Sequence, residues 1–224
     1  MLVLVVLVDL VWLAAPGHAA TAPIAPRGAA WTTSWPSESS TRLVVQAPAT
    51  AQPGDVLVAG LGVGRTNASS SVAVTPPAGW MLVSRTDRGT AGSLFLFTHA
   101  YASGERSYEF RTSYAIGGVG FVAAFGGVDT ARPVDVGAGR TDGQGTVAST
   151  PPVTTTGAGD ALVAAYFGYR GGGGSSVGWA QAVGMTEIGD TAATGGSRSG
   201  SLAVGSQPTA GATGSRTATV SIRV

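Results

Sequence analysis

The segment Gly54-Asp55-Val56-Leu57-Val58-Ala59 recurs 105 positions later as Gly159-Asp160-Ala161-Leu162-Val163-Ala164. Internal repetition constrains a fold strongly, because two segments with one pattern need equivalent surroundings. Gly79-Trp80 matches Gly184-Met185 at the same offset. Gly92-Ser93-Leu94 matches Gly200-Ser201-Leu202 at 108, and Gly104-Glu105-Arg106-Ser107 matches Gly214-Ser215-Arg216-Thr217 at 110. The order is kept and the offset grows only by small loop insertions. Four ordered matches imply a duplication covering 54–114 and 159–224, with each copy too small to bury its face alone. The second copy has no counterpart of the apolar run Val119 to Phe125, so an edge is left to be covered. Leu43 to Gln46 is the sequence's candidate for that cover.

Inside the copies the signals are those of strands. In Tyr108, Phe110 and Thr112 against Glu109 and Arg111, and in Ala218, Val220 and Ile222 against Thr217, Thr219, Ser221 and Arg223, the side-chain classes alternate with period two. Thr, Val and Gly dominate, and 35 Gly with 12 Pro break helices while suiting turns. The expected fold is therefore all-β, an antiparallel, jelly-roll-like β-sandwich of two duplicated halves, forming a single domain over 41–224. Residues 21–40, rich in Pro, Ala, Ser and Thr, read as a linker.

Leu2 to Ala15 form an apolar run broken only by Asp9, followed by Pro16, Gly17, His18, Ala19 and Ala20. That pattern reads as a signal peptide over 1–20, cleaved after Ala19 or Ala20, and implies a secreted, extracellular protein with no membrane span in the mature chain. It is atypical in two respects, having no basic residues before the apolar run and carrying Asp9 within it. The true start is expected upstream of Met1, and a buried N-terminal strand or helix is the alternative. The chain has no cysteine, which excludes disulfides, thiol chemistry and Cys-ligated zinc. All 13 basic residues are Arg, a usage typical of high-GC bacterial genomes. A net charge of +1 supplies no electrostatic footprint for nucleic acid.

Pro76-Pro77-Ala78-Gly79-Trp80 with Arg85-Thr86-Asp87, Gly127-Val128-Asp129-Thr130 with Pro133 and Asp135, and Gly184-Met185-Thr186-Glu187 together resemble β-sandwich modules of bacterial extracellular proteins. Such modules occur alone or appended to surface and carbohydrate-active proteins. The resemblance spans most of 41–224, implies an extracellular sandwich, and carries no catalytic residues across.

Motifs for chemistry are sparse. His99 is the only His outside the leader and closes an apolar strand, with no nucleophile elbow of the form Gly-x-Ser-x-Gly on a strand-to-helix turn to accompany it. Gly60, Gly62 and Gly64 have the wrong spacing for a dinucleotide loop, and Arg65 to Ser69 reads as a turn; close packing or a bulge explains the glycines better. Glu105 with Glu109 is the nearest carboxylate pair for a glycosidase, but one lies in a loop and the other on a strand's polar face. Asp129 and Asp135 flank a Pro-containing loop and are weak calcium candidates, turn formation being the stronger role. Trp80 reads as core. Trp179 and Tyr169, bordering the loop Gly171 to Ser176, are the candidates for an exposed sugar-stacking surface. Phe95 and Phe97 are a further candidate surface, since the matched positions Ala203 and Gly205 are small. They are either covered, with the Trp31 to Trp35 segment as one cover, or exposed as a contact for a partner or a second copy. The expectation is a non-enzymatic extracellular module for adhesion, surface structure or carbohydrate binding, with a polysaccharide or another surface protein as partner, self-association open to it, and no cofactor. The alternative is a secreted hydrolase with an unrecognised carboxylate pair.

Overall fold

A computed structural model describes residues 4–13, 23–35, 40–64, 70–170, 176–181, 183–193 and 197–223. The expected cleavage region, the turn Arg65 to Ser69 and the loop 171–175 lie outside the described residues. The described chain is all-β, without helix. Its strands are β1 (Leu4–Leu13), β2 (Ala25–Pro26), β3 (Trp31–Trp35), β4 (Arg42–Gln46), β5 (Val56–Gly64), β6 (Val74–Thr75), β7 (Met81–Arg88), β8 (Gly92–Ala100), β9 (Ser107–Thr112) and β10 (Gly117–Gly126). There follow β11 (Val134–Gln144), β12 (Val147–Ser149), β13 (Thr154–Thr155), β14 (Asp160–Arg170), β15 (Ser176–Ala180), β16 (Thr186–Ala192), β17 (Arg198–Gln207), β18 (Gly211–Ala212) and β19 (Thr217–Arg223).

Two large antiparallel sheets carry the fold. One has the order β2-β10-β5-β8-β7, with β3 also on β10; the other is β11-β1-β14-β17-β16. Two small sheets, β4-β9-β6 and β12-β19-β15, and a β13–β18 ladder complete it. Val58, Leu94, Leu96, Val119 and Phe121 of the first large sheet share a core with Val163, Ala165, Phe167 and Leu202 of the second. The opposite face of the first large sheet, with Leu57, Leu61, Phe95 and Phe97, packs on Leu43, Val45, Tyr108 and Phe110 of β4 and β9. Likewise Leu162, Ala164, Tyr166 and Ala203 pack on Ala148, Ala218 and Val220 of β12 and β19. Apolar side chains therefore line both faces of each large sheet. That explains the near-continuous apolar runs of β5 and β14, which are buried on both sides, against the clean alternation of β9.

The repeated sequence segments occupy matching places. β5 and β14 are the second strands of β10-β5-β8-β7 and β1-β14-β17-β16. The glycine pairs Gly54 and Gly159, Gly79 and Gly184, and Gly104 and Gly214 all adopt positive φ, between 67° and 90°. A side chain is strained there, so glycine marks the turn. The ladder of β7 on β8 breaks register between Leu82 and Ser84, and that of β16 on β17 breaks between Glu187 and Gly189, again 105 positions on. After each break Leu96 and Leu202 hold corresponding positions, opposite Ser84 and Gly60 in one sheet and Gly189 and Ala165 in the other. This corrects the sequence match of Leu94 to Leu202 by two residues. The faces are unchanged, but Ala203 takes the place of Phe97, and Ser201 that of Phe95.

Two further expectations are corrected. β4 does not cover the open edge of the second large sheet; it pairs with β9. That place, beside β14, is taken by β1, paired from Leu4 opposite Arg170 to Leu13 opposite Ala161, as β10 lies beside β5. The segment read as a linker also joins the fold. Trp31–Trp35 pairs along β10, and the Arg27 guanidinium donates to the Asp55 carboxylate at 2.9 to 3.1 Å. The Gln52 amide donates to the same carboxylate at 2.8 Å, fastening the segment to the turn that starts β5.

Candidate functional site

Two polar clusters stand out. The first lies where β8 ends and the turn to β9 begins. The Gly79 turn brings its carbonyl 3.0 Å from His99 Nδ1, and His99 Nε2 lies 2.9 Å from Glu105 Oε2. Both ring nitrogens are thus held, Nδ1 against the Gly79 carbonyl and Nε2 against the Glu105 carboxylate. Glu105 also receives the Ala102 amide at 2.8 Å and the Tyr108 hydroxyl at 3.3 Å, while Tyr101 donates to its backbone carbonyl at 3.1 Å. Partial burial pushes the Glu105 carboxyl up, but the Ala102 amide, His99 and Tyr108 together outweigh it and hold the group below the ordinary carboxylate range. Burial, then the Glu105 charge, raises the Tyr108 phenol. Trp80 stacks on the His99 ring at 5.1 Å. Pro48, Tyr101, Glu105 and Arg106 line an open groove beside the cluster. These hydrogen bonds latch the β8–β9 turn to the start of β7, while the Trp80 Nε1 donor is buried without a partner.

The second cluster was not legible in the sequence. Gln181 Nε2 donates to Glu187 Oε2 at 3.0 Å and to Ser201 Oγ at 2.8 Å, and Ser201 Oγ donates to Glu187 Oε2 at 3.1 Å. Asp190 lies alongside, 3.4 Å from the Trp179 amide and paired across the ladder with Ser201. Three residues apart on a regular strand, Glu187 and Asp190 would point to opposite faces. The register break places them opposite Ala203 and Ser201, two apart on β17, and so on one face. Asp190 as a whole stays exposed, but partial desolvation of its carboxyl and then the Glu187 charge raise that group to about 6, against the pull of the Trp179 and Thr191 amides. A carboxyl that titrates there can serve as general acid or base.

The sequence candidates are placed differently from their reading. Trp179 and Tyr169, expected at an exposed stacking surface, are 7% and 6% exposed: Trp179 packs near Tyr166, and Tyr169 lies under the Arg198 guanidinium. Phe95 and Phe97 are fully covered, Phe97 against Phe110 at 4.9 Å between ring centres, and Arg85 sits over Phe95 at 5.2 Å. The cover is chiefly the β4–β9 sheet, with Trp31 and Trp35 at its margin. None of these four aromatics offers a ring face for sugar stacking. Glu105 and Glu109 do not share a cleft: Glu109 pairs with Arg42 and with Arg111. Asp129 accepts the Ala131 amide at 2.9 Å, an Asx turn, and Asp135 binds the Thr156 amide at 2.7 Å and the Thr156 hydroxyl. The two aspartates therefore serve separate turns, and among the described residues no three His, Cys, Asp or Glu gather around one point.

Among the described residues the exposed large apolar side chains are Val44, Met81, Leu82, Val147 and Val183, and of these only Met81 and Leu82 are adjacent, on β7. Met81 is 59% and Leu82 52% exposed, and with Val83 they form one wall of a groove closed by Pro133, Val134 and Val136. Comparison with protein-family models, with curated proteins and with solved structures finds no match.

Proposed function

We propose that this chain is a non-enzymatic extracellular β-sandwich module, built by duplication, that serves surface structure or adhesion through protein contact. The observation that carries the proposal is the pair Met81 and Leu82 on edge strand β7. Large apolar side chains left half exposed along a groove favour a macromolecular partner. The burial of Trp179 and Tyr169 withdraws the support for carbohydrate stacking, and so favours a protein partner over a polysaccharide. The internal engagement of His99, Glu105 and Glu109 gives them structural roles that suit a module of this kind. Export with removal of residues 1–20 belongs to the same proposal.

Changing Met81 and Leu82 to Ser tests it. The double variant is expected to keep the unfolding temperature within a few degrees and to lose self-association or adhesion to the producing cell's surface. Unchanged association and adhesion would contradict the proposed contact.

The second reading, a hydrolase, is favoured by Glu187 and Asp190 on one face with Asp190 raised to about 6. Turnover of chromogenic glycosides or esters that disappears in both Glu187→Gln and Asp190→Asn would establish it in place of the first.

A further inference from the structure

The second large sheet contains a strand that the export proposal removes. β1 lies between β11 and β14 and is paired to both: continuously to β14 over ten residues, and to β11 from Val5 to Leu13 with two register breaks. Both pairings are antiparallel, so β11 and β14 run parallel to one another. Taking β1 away leaves them roughly 10 Å apart, two strand spacings. It also strips one row of backbone partners from β14, whose described side chains are buried. β11 and β14 could meet only as a parallel pair, with the chain through β12 and β13 as its crossover, and to do so one of them would have to move by a strand spacing off the core it packs on. In the first large sheet the corresponding place holds Gly117–Gly126, from the chain's interior. The segment filling it in the second sheet, LVVLVDLVWL, is apolar at every position but Asp9.

We infer that the place between β11 and β14 is a strand-acceptor site, which in the exported chain takes an extended apolar segment of about ten residues from a partner polypeptide, running antiparallel to both neighbours. The inference rests on the export reading for the vacancy and on the ladder geometry for the acceptor. Recognition comes from two backbone ladders, so the donor must be extended, free of proline and apolar, as β1 is.

A protease site introduced within residues 14–22 of the full chain allows β1 to be cut from the rest after folding. The cut segment is expected to remain bound and to exchange one for one with a labelled peptide of residues 4–13, while the same peptide with Val6→Pro and Val8→Pro fails to compete. In a chain lacking residues 1–20, the backbone amides of β14 that face the vacancy should exchange with solvent at least tenfold faster, and recover protection when the peptide is added. Release of the segment on cutting with β14 still protected, or equal binding by the proline peptide, overturns the acceptor site. Self-association of the shortened chain that protects β14 without peptide assigns the place to a second copy and overturns the separate partner. Sequencing the N-terminus of exported protein tests the export reading by itself. An intact Met1 removes the vacancy in the natural protein, whereas peptide exchange on the cut chain still decides whether the site accepts a strand.

Discussion

A Cβ added to Gly62 would stand 2.3 Å from Cδ2 of Phe167, the residue 105 positions further on that holds the corresponding place in the other large sheet. Where the first sheet has no side chain, the second supplies a ring. In the other direction a Cβ on Gly200 of β17 would stand 2.9 Å from Cε2 of Phe121 on β10, so each large sheet sets a phenylalanine ring against a glycine of the other. This reciprocal fit fixes how closely the two large sheets approach.

Gly62→Ala is therefore expected to destabilise the protein by about 1 to 3 kcal/mol, the usual cost of overpacking a filled core. Gly143→Ala, where an added Cβ meets nothing within 4 Å, serves as the control and should change stability little. Chemical denaturation of the two variants checks both.

Phe97 lies between the first large sheet and the β4–β9 sheet, buried and in contact with Phe110. Phe97→Ala should cost about 3 to 5 kcal/mol, by lost transfer energy and a cavity. A calorimetric unfolding temperature close to that of the parent would contradict the covering role of β4 and β9.

Glu105 and Asp190 give opposite pH dependences. The Glu105 carboxyl lies below its ordinary range in the folded state, so its contribution is present above the unfolded pKa and is lost as the pH falls through the folded one. Glu105→Gln should therefore flatten the acid limb of the stability curve.

The Asp190 carboxyl is raised to about 6, so the folded chain holds its proton more tightly than the unfolded chain. Its contribution is present below the ordinary aspartate range and is lost as the pH rises from there to about 6. Asp190→Asn should abolish that loss and leave the variant more stable than the parent at neutral pH. Denaturation midpoints across pH 3 to 8 test both carboxyls.

The elements legible in the sequence were those fixed by local stereochemistry. Gly54, Gly79 and Gly104 and their counterparts mark turns because their φ is positive, and β9 reads plainly because only one of its faces meets a core. The covering relationships were not legible. Leu4–Leu13 has one composition whether it is an exported leader or a paired strand, since both demand an apolar run. The match of Gly92-Ser93-Leu94 to Gly200-Ser201-Leu202 follows residue identity, whereas the ladder follows the register break, and the two differ by two residues. The same break hid Glu187 and Asp190, which period-two alternation assigns to opposite faces. Trp179 looked exposed because it adjoins a glycine loop, yet its ring sits on the core around Tyr166.

The central structural claim is that β5 and β14 are equivalent inner strands, each paired on both sides and covered on both faces. Native-state hydrogen exchange on the full chain tests it most directly. The amides of Val56–Gly64 and Asp160–Arg170 should be among the slowest in the protein, exchanging only through global opening. Slow exchange in β5 with fast exchange throughout β14 would contradict the claim, and with it the closing of the second sheet by Leu4–Leu13.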